Sequence, residues 1–227
     1  MTNEEFSDFL VGLTAKFTPV VQGFDQADYV SLDLSKTNAE LTEFDTSSSR
    51  SISDYVDLII ERAGGKIAYG GYDEQRSIYD RSIYFSDAQQ ERRNIHLGVD
   101  LWCAAGTEIL APLEGRVHSF ADNANHGDYG PCIILEHNFD GQIFYSLYGH
   151  LSRLSLDVIE VGEKVSTGDV IAKLGEPFEN GDYAPHLHFQ LIRDLQGKKG
   201  DYPGVCTQSL RSFYLSNCPD PNLILKI

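Results

Sequence analysis

The pair His186 and His188 sits in YAPHLHFQLI (183–192), a run that otherwise reads as a β-strand. Successive side chains of a strand point to opposite faces, so positions two apart share one. Both imidazoles therefore project together, with Leu187 and Phe189 turned away. RNIHLGVDLW (93–102) repeats the pattern. His96 and Asp100 share a face, with Gly98 between them leaving the space open. A histidine and a carboxylate presented together suit Zn2+, which accepts nitrogen and oxygen ligands. One histidine of the HLH pair would complete three protein ligands and leave a coordination position for water, the arrangement of catalytic sites. His150 ends a third strand-like run, YSLYGHLS. His118, His126 and His137 lie in a strand interior, a loop and a strand end, and are assigned no function.

The elements that must position these groups follow from periodicity. Thr2 and Glu5 have capping-box spacing, and Phe6, Phe9, Leu10, Leu13 and Phe17 share a helical face, which predicts a helix over 3–16. DYVSLDLS (28–35) alternates as a strand. SISDYVDLIIERAGG (51–65) reads as a second helix, opened by a serine cap and stopped by Gly64 and Gly65. Beyond residue 65, short alternating runs recur between Gly and Asn/Asp turn signals, which predicts a mainly antiparallel β domain. The expected organisation is a helical N-terminal segment (1–64) followed by a β domain with a C-terminal extension (65–227), the sheet presenting an open active-site groove.

Bulk composition narrows the partners. Hydrophobic residues make up 41% and charged residues 23%, an ordinary globular balance. The formal net charge of -16 repels phosphate backbones and anionic membranes and attracts cations. Neither nucleic acid nor membrane is an expected partner. The acidic start lacks the pattern of a secretory signal and no apolar run reaches spanning length, so a cytoplasmic location is expected. Cys103, Cys132, Cys206 and Cys218 show no C-x-x-C spacing and read as reduced, mostly buried thiols.

HLGVD, YGHLS and PHLHF stand in the order found in the lysostaphin/LytM-type zinc metallopeptidases. APLEGRVHSF, YGPCIILEH and VIEVGEKVSTGDVIAKLG also resemble that family's framework, so the likeness covers about residues 65–195. The resemblance implies a hybrid topology related to lipoyl domains and Zn2+ held by His96, Asp100 and His188. It also implies hydrolysis of an amide or peptide bond by water on the metal, with His150 and His186 as the unligated pair. Of these, His150 is favoured as base and His186 as oxyanion stabiliser. GGYDEQRSIY (70–79) occupies the place of a groove-lining loop, where Arg76 either binds substrate or is solvated. Tyr145 and Tyr148 precede His150 at strand spacing, as substrate donors or as packing. The expected partner is a peptide, peptidoglycan-like in the family's familiar members, or a small amide.

Three other readings stand beside this one. One is a cytoplasmic zinc amidase acting on a small molecule, and another is a non-catalytic peptide-binding module. The third, a biotinyl/lipoyl carrier, needs a lysine at the turn between its hairpin arms. No lysine falls between Arg116 and Lys164, which excludes it.

Overall fold

The computed structural model describes residues 1–81 and 91–227. Helix α1 (Asn3–Leu13) opens with the reciprocal Thr2–Glu5 capping box. It stops three residues short of the expected end because Thr14 turns extended and its hydroxyl donates to the Ile224 carbonyl. Helix α2 (Ser49–Ala63) is capped by Ser48 and ends at Gly64, whose φ of 69° closes the helix in the left-handed region. Three short helices follow: α3 (Arg153–Leu156), α4 (Arg211–Asn217) and α5 (Asn222–Leu225). None of the described helices is long and apolar enough to cross a membrane.

The strands are β1 (Tyr29–Ser31), β2 (Ile67–Gly70), β3 (Ile95–His96), β4 (Val99–Trp102), β5 (Glu108–Leu110) and β6 (Gly115–Asn123). Then come β7 (Gly130–Phe139), β8 (Gln142–Gly149), β9 (Lys164–Val165), β10 (Val170–Lys173), β11 (His186–Ile192) and β12 (Val205–Cys206). The fold is mainly β. Eight strands form one sheet in the order β1-β2-β4-β11-β8-β7-β6-β9, antiparallel throughout except for the β1–β2 pair. The pairs β5–β10 and β3–β12 make two small additional sheets. Residues before 65 thus supply the edge strand β1 as well as helices.

Alternation sorts the sheet into two faces. Val99 and Leu101 of β4, with Leu187, Phe189 and Leu191 of β11, enter the main core, where α1 adds Phe6 and Leu10. Asp100, His186 and His188 take the opposite face. A second cluster joins Leu32, Leu34, Ile52, Tyr55 and Val56 of the N-terminal segment to Trp102 and Ala184 beside the histidine pair.

The core face carries one polar network. His137 is fully buried, its Nδ1–H donating to the Glu114 carbonyl at 2.7 Å. Ser146 Oγ bridges His137 Nε2 (2.7 Å) and the Tyr148 hydroxyl (3.0 Å). Burial pushes His137 down to about 4, against about 6.5 in an unfolded chain. Between those values the unfolded chain binds the extra proton, so stability rises with pH across the window. The contribution is complete above about pH 6.5 and is lost as pH falls through about 4, a total near 3 kcal/mol. His137→Gln should therefore lose about 2 kcal/mol less than the parent between pH 7 and 4.5, read from urea midpoints.

Candidate metal centre

Strand pairing brings the distant motifs together. In the β4–β11 register, Asp100 lies opposite His188 and Trp102 opposite His186. His96 ends β3, separated from β4 by Leu97 and Gly98, and the glycine is required by packing. A Cβ there would stand 2.7 Å from both the His188 ring and the Phe189 carbonyl oxygen. Gly98→Ala should cost about 1–3 kcal/mol and displace His188, seen as a lower melting temperature together with weaker metal uptake.

The three side chains meet with their acceptors inward. His96 Nδ1–H donates to the Gly71 carbonyl at 2.9 Å, so its Nε2 carries a lone pair. His188 Nε2–H donates to Gln190 Oε1 at 2.9 Å, so its Nδ1 carries one too. The Gln190 amide orientation is set by its own donation to the Pro203 carbonyl and Cys218 Sγ. These lone pairs face each other at 2.8 Å, and Asp100 Oδ1 lies 3.2 Å from His96 Nε2 and 3.1 Å from His188 Nδ1. All three residues are buried. Burial, followed by the nearby Arg76 guanidinium, pushes His96 down to about 4 and keeps it neutral. Burial alone would raise Asp100, but His96, Arg76 and His186 around it hold it well below the usual carboxylate range. Three inward-facing lone pairs at this spacing repel one another unless a cation sits among them. Their spacing is close to the edge of a tetrahedron built on zinc–nitrogen bonds of about 2.0–2.1 Å, roughly 3.3 Å. The donor set fits zinc: two imidazoles oriented by hydrogen bonds from their other nitrogen, and one carboxylate oxygen.

Asp100 offers a single oxygen because Arg76 takes the other. Arg76 Nη1 donates to Oδ2 at 2.5 Å, and Nε to Glu74 Oε2 at 2.5 Å. Arg76 is 3% exposed and its guanidinium lies over the Trp102 ring, so it is not a solvated loop residue: it lines the cavity and braces Asp100. The 71–76 turn is itself held by the C-terminal extension: Arg211 pairs with Asp73, and the Tyr72 hydroxyl donates to the Cys218 carbonyl.

His150 reaches the site by leaving the strand pattern. Continued alternation would turn it to the core face with Tyr148. Instead its φ is 64°, a left-handed conformation that non-glycine residues rarely adopt. Its ring comes to 4.3 Å from that of His186, and its Nδ1–H donates to the Asn180 carbonyl at 2.7 Å, leaving Nε2 as an acceptor. His186 Nδ1–H donates to the Ala184 carbonyl, its ring stacks on Trp102, and its Nε2 is 3.8 Å from Asp100 Oδ1. Burial lowers the pKa of both, further for His150, which also feels His186 and His188; His186 is partly offset by Asp100.

All five singled-out residues thus line one cavity of about 260 Å³. Tyr148 is buried on the far face, and Tyr145 packs against His118. All four cysteines are free thiols, three of them buried. Gln190 went unread in the sequence although it continues the His186–His188 alternation. Gly71, Asn180 and Tyr129 carried no local signal; they act through two backbone carbonyls and a ring packed on His188.

Residues 94–201 match the family model described as peptidase family M23. A curated relative from Haemophilus influenzae, described as an uncharacterized metalloprotease, is 33% identical over 96 residues. The match spans 42% of this chain and only 18% of that protein. Among solved structures, the catalytic domain of lysostaphin from Staphylococcus simulans is 25% identical, covers 53% of this chain and 80% of its own, and has a TM-score of 0.37. A zinc containing peptidase from Vibrio cholerae is 26% identical over 44% of this chain and 28% of its own, also with a TM-score of 0.37. All five site residues lie within 94–201, the segment that matches the M23 family model.

Proposed function

We propose that this chain hydrolyses an amide or peptide bond, with zinc held by His96, Asp100 and His188. The observation that carries the reading is the convergence of two imidazole lone pairs and one carboxylate oxygen, all within 4.8 Å of one another in a buried site. When bound, zinc supplies Lewis acidity toward a carbonyl and toward water at neutral pH.

The proton transfers fall to the chain's own groups. His150, neutral and with Nε2 open, takes the proton of the attacking water and returns it to the leaving amine. Asn180 fixes the tautomer this requires. His186, whose Nδ1–H is committed to the Ala184 carbonyl, donates a hydrogen bond from Nε2 to the oxyanion in its protonated form, which the Asp100 carboxylate 3.8 Å away favours. Trp102 stacked on one side of His186 limits its rotation.

The test is product mass spectrometry on zinc-loaded protein incubated with muropeptides and with Gly- and D-amino-acid-containing peptides. Cleavage that disappears in a His150→Asn blank supports the reading. Zinc-loaded protein that cuts none of these, nor simple acyl amides, contradicts it.

A further inference from the structure

The walls of the cavity are not all made by the segment that matches the family model. Leu34, Ser49 and Ile52, from the N-terminal 64 residues, line it together with Ile78, Trp102 and the histidines. These contributions are built in rather than incidental. Leu34 and Ile52 are each 3% exposed and share a hydrophobic cluster with Trp102 and Ala184, the residues flanking His186. The Leu34 amide donates to Glu74 Oε1, fixing its backbone to the turn that braces Asp100. Ser49, at the start of α2, donates from Oγ to Asp182 Oδ1 at 3.3 Å, tying the helix to the loop that carries Asn180 and Tyr183.

A second cavity of about 210 Å³ lies behind this wall, among Lys36, Asn38, Leu41, Phe44 and neighbours. Leu34, Ile52 and Ile78 line both cavities, so these three side chains are the partition between them. The partition is apolar and stands next to Trp102, which stacks on His186. A group pointing that way from the reacting carbonyl meets hydrocarbon and then an end.

We propose that the N-terminal segment makes this a bounded site, which takes a short amide or peptide with a compact apolar group against Leu34, Ile52 and Ile78. A strand of a cross-linked polymer does not fit past that wall. This rests on the zinc reading above and adds the substrate class. The three partition residues determine specificity without touching the reacting atoms.

The experiment is a ruler of straight-chain acyl hydroxamates, from two to ten carbons, titrated into zinc-loaded full-length protein by calorimetry. Hydroxamates bind zinc without turnover, so the size limit is read independently of catalysis. Each methylene buried against the wall should tighten binding about fourfold, until the chain reaches the partition and the trend reverses. Ile78→Ala, at a half-buried position, should move the reversal to longer chains, and Ile52→Ala with Ile78→Ala should move it further by joining the two cavities. A melting temperature for each variant guards against loss of fold, and Ile52→Val with Ile78→Ala is the milder pair. Affinity that climbs to ten carbons without reversal, or a reversal unmoved in the folded variants, overturns the bounded site while leaving the zinc reading intact. Ruler behaviour with no amide cleaved supports the bounded site and contradicts the hydrolase reading. Absence of any hydroxamate binding overturns both.

Discussion

Asp100→Asn should lose zinc affinity by more than about 100-fold while the chain stays folded. Disturbing a group that merely orients a metal ligand typically costs 10–100-fold, and Asp100 is the one anionic donor of the three. Its Oδ1 faces both lone-pair nitrogens, and its Oδ2 is committed to Arg76. The asparagine keeps the volume and an oxygen but removes the charge that balances a dication. Asp100→Ala would instead leave Arg76 partly unpaired in a buried site, where losing one partner of an ion pair costs about 3–5 kcal/mol. The isosteric change therefore isolates the metal from the fold. Competition against a chromophoric chelator measures the affinity, and far-UV dichroism checks the fold. Unchanged zinc affinity in a folded Asp100→Asn protein would remove Asp100 from the ligand set.

His150→Asn carries the second large effect, a fall in turnover of about 10²–10⁴-fold with zinc retained. Asparagine is chosen because the backbone at 150 has φ 64°, which asparagine tolerates better than alanine. His150 is not among the converging acceptors, so its loss leaves the metal donors in place. Stopped assays on any cleaved peptide give the rate, and metal analysis of the same sample gives the occupancy. Full turnover in that variant would shift the base to His186. Loss of both metal and turnover would make His150 a structural support.

These two outcomes also mark how far the sequence could be read. Period-two alternation placed His186 with His188 on one face, and the β4–β11 register sets them opposite Trp102 and Asp100. It also placed His96 with Asp100, and the two meet although His96 ends β3 in a separate small sheet. Alternation failed at His150, where a left-handed residue reverses the side; only the family likeness pointed there. Gln190 was accessible to the same parity argument, two positions beyond His188. Arg76 was not. Its role depends on a turn folding back on Asp100, 24 residues later, with Gly71 leaving room for the guanidinium. Nor could the α2 periodicity say what its apolar face covers. It showed a helix with a buried side, and Ile52 on that side turns out to line the cavity that holds the five site residues.

The central claim is that two imidazole lone pairs and one carboxylate oxygen form a zinc site. Cobalt substitution tests it most directly: metal-free protein is titrated with Co2+ and its visible spectrum recorded, with zinc added afterwards as competitor. The account predicts saturation at one ion per chain, with the intense bands of a four-coordinate nitrogen and oxygen environment. Zinc should displace these bands, and they should be absent in Asp100→Asn and His188→Ala. A folded parent that binds no cobalt, or binds it equally well in both variants, would contradict the account.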